Sequence, residues 1–172
     1  MRGDEAGRRA HPPAERILDR DEVIRRYARP RDLSLVFTNG CFDLLHWGHV
    51  SLLYRARALG DLLIVGLNSD RSVRLLKGPG RPLQPVEDRA ALLASLRPVD
   101  VVTIFDSETP EELIRSLLPD HLVKGADYRR EQVVGGDEVE AAGGRVHLLP
   151  LEEGRGTRLL IGRASGAGGI EK

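Results

Sequence analysis

Apolar residues along this chain gather in short runs separated by amphipathic stretches. SLVFTN (34–39), DLLIVGLN (61–68), VDVVTIF (99–105), HLVKG (121–125) and RVHLLPL (145–151) are near-continuously apolar, the pattern of strands covered on both faces. The segments between them predict helices over 48–59, 70–76, 86–96, 109–117 and 131–142, the last stopped by Gly143-Gly144. A further helix over 19–28 ends before Arg29-Pro30. Strand–helix alternation of this kind predicts an α/β fold, three layers with helices on both faces of a five-stranded parallel sheet joined by right-handed crossovers. Ligands of such sheets collect at the carboxyl ends of the strands. The loops to inspect therefore start at Thr38, Asn68, Phe105, Lys124 and Pro150.

Composition narrows the picture. A length of 172 residues suits one domain, expected over 16–163, with Gly/Ala/Pro/charge-rich tails over 1–15 and 164–172 expected to be disordered. Lys+Arg and Asp+Glu each total 26, so bulk charge gives no reason to expect a nucleic-acid or membrane partner. The single cysteine, Cys41, excludes an intramolecular disulfide. No apolar run approaches the ~20 residues that cross a bilayer, and the first residues lack the apolar core of a secretory signal. A cytoplasmic protein is expected. Only three of the 26 basic side chains are lysines, and the two internal ones, Lys77 and Lys124, each precede a glycine in a predicted ligand-side loop. A lysine ammonium reaches a single phosphate oxygen where a guanidinium fork is bulkier, so both are expected to serve a ligand.

The chemistry concentrates after the first strand, in Thr38-Asn39-Gly40-Cys41-Phe42-Asp43-Leu44-Leu45-His46-Trp47-Gly48-His49. A strand runs into a glycine-containing loop, then His-x-Gly-His opens a helix. A helix start offers unpaired N–H groups and a positive dipole end, which suit phosphate. His46 and His49, three apart, share one helical face; Gly48 lets a ligand approach the backbone. Two imidazoles so placed can hold the charge that develops as pyrophosphate departs. A zinc pair fits less well, because the lone Cys41 and the distant His121 and His147 complete no ligand pattern. Buried structural histidines are the remaining alternative. No G-x-G-x-x-G follows the first strand, which disfavours a dinucleotide oxidoreductase.

The string Thr38–His49 resembles the H-x-G-H nucleotidyltransferases of the cytidylyltransferase-like superfamily, and within it the bacterial heptose 1-phosphate adenylyltransferases. The resemblance spans roughly residues 20–162. It is carried also by Leu67-Asn68-Ser69-Asp70, Lys77-Gly78-Pro79, Arg81-Pro82, Val123–Tyr128 and Val134-Gly135-Gly136. It implies a Rossmann-like fold and transfer of AMP from ATP to a heptose 1-phosphate, with Mg²⁺ held mainly by the substrate phosphates rather than a protein cage. It implies catalytic roles for His46, His49 and Lys77, and a nucleotide site built from Asn39, Gly40, Cys41, Phe42 and Gly48. Asp43, Arg89, Lys124 and Asp127 are expected on the acceptor side; Asp43 has a loop-capping alternative and Arg89 a solvent-facing one. Trp47 is expected to pack or to wall the site, and Cys41 reads best as a small residue in a tight loop. No kinase portion is present, so the resemblance is to the stand-alone form; a homo-oligomer, a dimer or larger, is also expected.

One segment departs from the family pattern. Where relatives carry Gly-x-Ser-Thr-Thr before the last helix, this chain has Gly154-Arg155-Gly156-Thr157-Arg158. Thr157 and Arg158 are expected to bind the nucleotide's phosphates there. Two alternatives stay open: cytidylyl transfer to glycerol 3-phosphate or a similar polyol phosphate, and a nucleotide-binding module impaired in turnover.

Overall fold

The computed structural model describes residues 12–150 and 161–162. Five parallel strands, β1 (Leu35–Gly40), β2 (Leu62–Asn68), β3 (Val101–Phe105), β4 (His121–Gly125) and β5 (Arg145–Leu149), form one sheet in the order β3-β2-β1-β4-β5. Every strand falls within or one residue from a predicted apolar run. The helices are α1 (Arg20–Tyr27), α2 (Trp47–Arg57), α3 (Asp70–Lys77), α4 (Val86–Ala94), α5 (Glu111–Leu117) and α6 (Gly136–Ala141). None of them is long and apolar enough to cross a membrane.

Alternation along the strands feeds two cores. Val36, Leu63, Val65 and Val123 face Leu52, Leu53 and Ala56 of α2 and Ala90, Leu93 and Ala94 of α4. Leu35, Phe37, Ile64 and Leu122 face Val23 of α1, Leu113, Ile114 and Leu117 of α5, and Val139 of α6. The sheet is thus covered on both faces, which is why its strands read as unbroken apolar runs. At the end opposite the loops of interest, Asp120 accepts hydrogen bonds from Arg29, Arg31 and the Leu35 amide, tying the chain before β1 to the start of β4. The short 3₁₀ turn Pro13–Arg16, which begins in the expected N-terminal tail and ends one residue past it, is held by Arg16, whose guanidinium donates to the Ala94 and Val99 carbonyls.

One helix differs from expectation. The stretch 131–142 is a 3₁₀ turn, Arg130–Gln132, followed by the shorter α6. Gly135 breaks it with φ 77, and a side chain there would meet Ile114 Cγ2 at 2.6 Å. The periodic apolar pattern could not register a left-handed residue inside it. The Gly154–Arg158 segment, with Thr157 and Arg158, lies outside the described residues.

Candidate active site

The carboxyl ends of β1, β2 and β4 open into a cavity of about 820 Å³, a volume in the range of small-ligand sites. β1 is central, flanked by β2 and β4, and the chain leaves it through the loop that ends on α2. Phe42 turns that loop with φ 43. This left-handed conformation costs a non-glycine residue on the order of 1 kcal/mol, and the buried ring compensates by packing in the core and tilting against His49, centroids 5.1 Å apart.

His46 is the N-cap of α2, in extended conformation, and its side chain makes no capping bond. The ring is therefore free for a ligand at a helix start whose own amides need acceptors. His49 stacks on it with centroids 3.8 Å apart and planes 23° from parallel. The Nδ1 atoms of both rings are buried without a well-aligned hydrogen bond; the Leu44 carbonyl still favours a proton on His49 weakly. Burial, then the neighbouring His46 and Lys77 charges, pushes the His49 pKa down from 6.5 to about 4. Burial lowers that of His46 as well. Without ligand both rings are neutral at pH 7. An arriving polyphosphate reverses that balance, since its negative charge favours the protonated form of each ring.

The cavity brings together Asn39, Gly40, Cys41, Phe42, Asp43, His46, Gly48, His49, Lys77, Lys124 and Asp127. Lys77 closes α3 and is exposed, with its charge acting on His49 and Cys41. The Cys41 thiol is raised by burial, against the pull of Lys77 and Arg89. Trp47 turns outward, 55% exposed, and forms no part of the wall.

Two of the expected acceptor residues are committed to the protein. Asp43, buried, accepts from the Leu83 and Gln84 amides at 2.7 and 3.1 Å and pairs with Arg81 at 2.6 Å. Arg89 is fully buried, so the solvent-facing alternative is overturned. Its guanidinium donates to the carbonyls of Cys41, Asn68 and Gln84 and to the Asp70 carboxylate, at 2.6 to 3.0 Å. All of these are protein groups, and Arg89 is absent from the cavity wall. It clamps the first loop, the end of β2 and the 81–84 loop into one body.

Sequence reasoning missed part of the wall. Asn68, Glu108, Thr109, Tyr128 and Gln132 also line the cavity. The rule that ligands sit beyond strand ends pointed to the loops after Asn68, Phe105 and Lys124, but not to which side chains turn inward. Among the described residues no group of three or more His, Cys, Asp or Glu could hold a metal ion. The donor set of imidazoles, ammonium groups and backbone amides suits the phosphate oxygens; a divalent cation fits here as a guest on those oxygens.

Comparison with known proteins agrees with this geometry. The cytidylyltransferase-like family model matches residues 37–152. The bifunctional protein HldE of Gluconacetobacter diazotrophicus is 54% identical over 158 residues, which cover 91% of this chain and 33% of that protein. HldE of Syntrophotalea carbinolica is 56% identical over 149 residues, 87% of this chain and 30% of that protein. The chain spans about a third of the length of these curated relatives. A lipopolysaccharide core biosynthesis protein from Thermoplasma volcanium superposes with a TM-score of 0.57 at 25% identity, covering 70% of this chain and 97% of that one. Pantoate-β-alanine ligase from Francisella tularensis has the same TM-score of 0.57 at 16% identity, covering 82% and 68%, and shows the shared fold alone. With the family model spanning most of the chain and the His46–His49 pair at the head of α2, the chain belongs to the cytidylyltransferase-like family of nucleotidyltransferases.

Proposed function

We propose that this chain transfers AMP from ATP to a heptose 1-phosphate, giving an ADP-heptose and pyrophosphate. The observation that carries the reading is the stacked His46–His49 pair on the first turn of α2, facing the cavity. Similarity to the bifunctional HldE proteins supports the heptose phosphate as acceptor. A phosphate oxygen of the acceptor attacks the α-phosphorus of ATP, the new P–O bond forms, and the bond to the pyrophosphate oxygen breaks with its electron pair. No proton has to leave the attacking dianion, and no enzyme nucleophile is required. His46, His49, Lys77 and the α2 amides hold the β- and γ-phosphates and stabilise the charge that grows on the leaving oxygen. The Asn39–Phe42 loop and Gly48 bring backbone close to the nucleotide, and Thr157 and Arg158 would complete the phosphate contacts.

The family generally implies a divalent metal. We take it to be Mg²⁺, which would be held mainly by the polyphosphate rather than by protein side chains and would supply neutralisation of the phosphate charge. Asp43 and Arg89 would serve the acceptor by fixing the loops around it; Asp127, which lines the cavity, would meet the acceptor directly.

Pyrophosphate release across ATP, CTP and GTP, each with heptose 1-phosphate or glycerol 3-phosphate, tests the reading. ATP with heptose 1-phosphate is the expected productive pair. Turnover confined to CTP with glycerol 3-phosphate would make the chain a cytidylyltransferase, and nucleotide binding without turnover a binding module.

A further inference from the structure

The two internal lysines reach the cavity from opposite sides of β1. Lys77 ends the helix that follows β2, while Lys124 belongs to β4 on the other flank. Lys77 is exposed; Lys124 is only 9% exposed. Among the described residues the Lys124 Nζ has one protein acceptor, the Asn39 carbonyl at 3.4 Å, and it lies 5.2 Å from the centroid of the Tyr128 ring. An ammonium can donate three hydrogen bonds, so most of its capacity is unused. Among the described residues no carboxylate forms an ion pair with it; Asp127 acts on it only from farther away. Burial pushes its pKa down from 10.5 to about 8, against the pull of Asp127.

A buried cation without a carboxylate partner is costly to the folded state. Among the described residues its contacts are one long hydrogen bond to a carbonyl and a ring at 5.2 Å, with no carboxylate in ion-pair contact, and the side chain lines the cavity. The transfer reaction also requires two separate cationic sites. Leaving pyrophosphate and attacking phosphate must lie on opposite sides of the α-phosphorus for in-line displacement, so one cluster of donors cannot serve both. Lys77, at the end of the helix after β2, acts on His49 of the histidine pair, and the opposite flank of β1 carries Lys124 on β4.

We infer that Lys124, with the Asn39 carbonyl and the Tyr128 ring beside it, is a second anion site in this cavity that takes the phosphate group of the acceptor. The ligand class is a phosphomonoester of a polyhydroxylated compound, its phosphate on Lys124 and its carbon frame toward Tyr128, Asp127 and Gln132. This rests on the nucleotidyl-transfer reading and adds which group of the acceptor is held, and where.

Calorimetric binding of heptose 1-phosphate, glycerol 3-phosphate and α,β-methylene-ATP to wild type, Lys124→Met, Lys124→Gln and Lys77→Met tests it. Both Lys124 variants should bind the phosphomonoester at least tenfold more weakly and α,β-methylene-ATP within about threefold of wild type; Lys77→Met should show the reverse. Thermal unfolding of Lys124→Met should be unchanged or shifted upward, because an unpaired buried charge is removed, whereas a lysine that held the fold together would lower it. Equal losses for both ligand types, a loss confined to α,β-methylene-ATP, or no loss overturns the inference. Binding of glycerol 3-phosphate but not heptose 1-phosphate by wild type would sink the heptose assignment alone, and the Lys124 comparison then proceeds with glycerol 3-phosphate. A wild type that binds neither phosphomonoester overturns the inference too.

Discussion

At the residue scale, the site depends on imidazoles that burial keeps neutral until an anion arrives. His46→Ala and His49→Ala should each lower kcat by about 10²-fold, the scale for losing a transition-state donor, with acceptor binding changed far less. Near-normal kcat in both would remove the pair from the chemistry. Because the His49 pKa is about 4 in the free protein, binding of α,β-methylene-ATP at pH 6.5 should take up protons. Calorimetry in buffers of different ionisation enthalpy reads that uptake; binding with none would mean that the rings stay neutral against the phosphates. Lys77 carries a shape argument as well as a charge. Lys77→Arg should lose at least about tenfold in kcat/KM, or ~1.4 kcal/mol, and wild-type kinetics would make the residue a plain surface cation.

At the scale of elements, two buried charges lock the loops that present these residues. Asp43 binds the Leu83 and Gln84 amides, and Arg89 binds the Cys41, Asn68 and Gln84 carbonyls. Arg89→Ala would leave three carbonyls and Asp70 without their buried partner, and should lower unfolding stability by about 3–5 kcal/mol. Denaturant unfolding measures it, and a cost below about 1 kcal/mol would show that the clamp is slack. The sequence placed all five strands because a sheet covered on both faces writes continuous apolar runs, and α2 because His46 and Gly48 mark its start. Arg89 was legible as a residue of interest but not in its role. An arginine on a helix looks the same in sequence whether it faces solvent, ligand or carbonyl groups, and only the folding back of the 81–84 loop decides. The split of the 131–142 helix was hidden for a similar reason, since Gly135 bends the chain through its backbone while its neighbours keep a helical pattern.

At the scale of the whole molecule, the order β3-β2-β1-β4-β5 puts the first loop beside both β2 and β4, so residues 31 positions apart (His46 and Lys77) and more than 70 apart (His49 and Lys124) share one cavity. Strand alternation gave the parallel sheet; which strands flank β1 is a long-range choice that local pattern does not encode. The neutral histidines leave a global signature in acid. Between pH 6.5 and about 4 the unfolded chain holds a proton on His49 that the folded chain does not. Stability therefore falls as pH drops through that window, by up to about 3 kcal/mol from this residue, and His49→Asn should flatten part of the decline. An unchanged acid profile in that variant would contradict the burial argument. The central claim is transfer of a nucleotidyl group onto the acceptor's own phosphate. Its direct test is ³¹P NMR of the products formed from ATP and heptose 1-phosphate whose phosphate oxygens carry ¹⁸O. The account predicts one ADP-heptose per pyrophosphate, with ¹⁸O in the bridge of the new diphosphate and none in the pyrophosphate; ¹⁸O in the pyrophosphate, or pyrophosphate without a diphosphate-linked sugar, would contradict it.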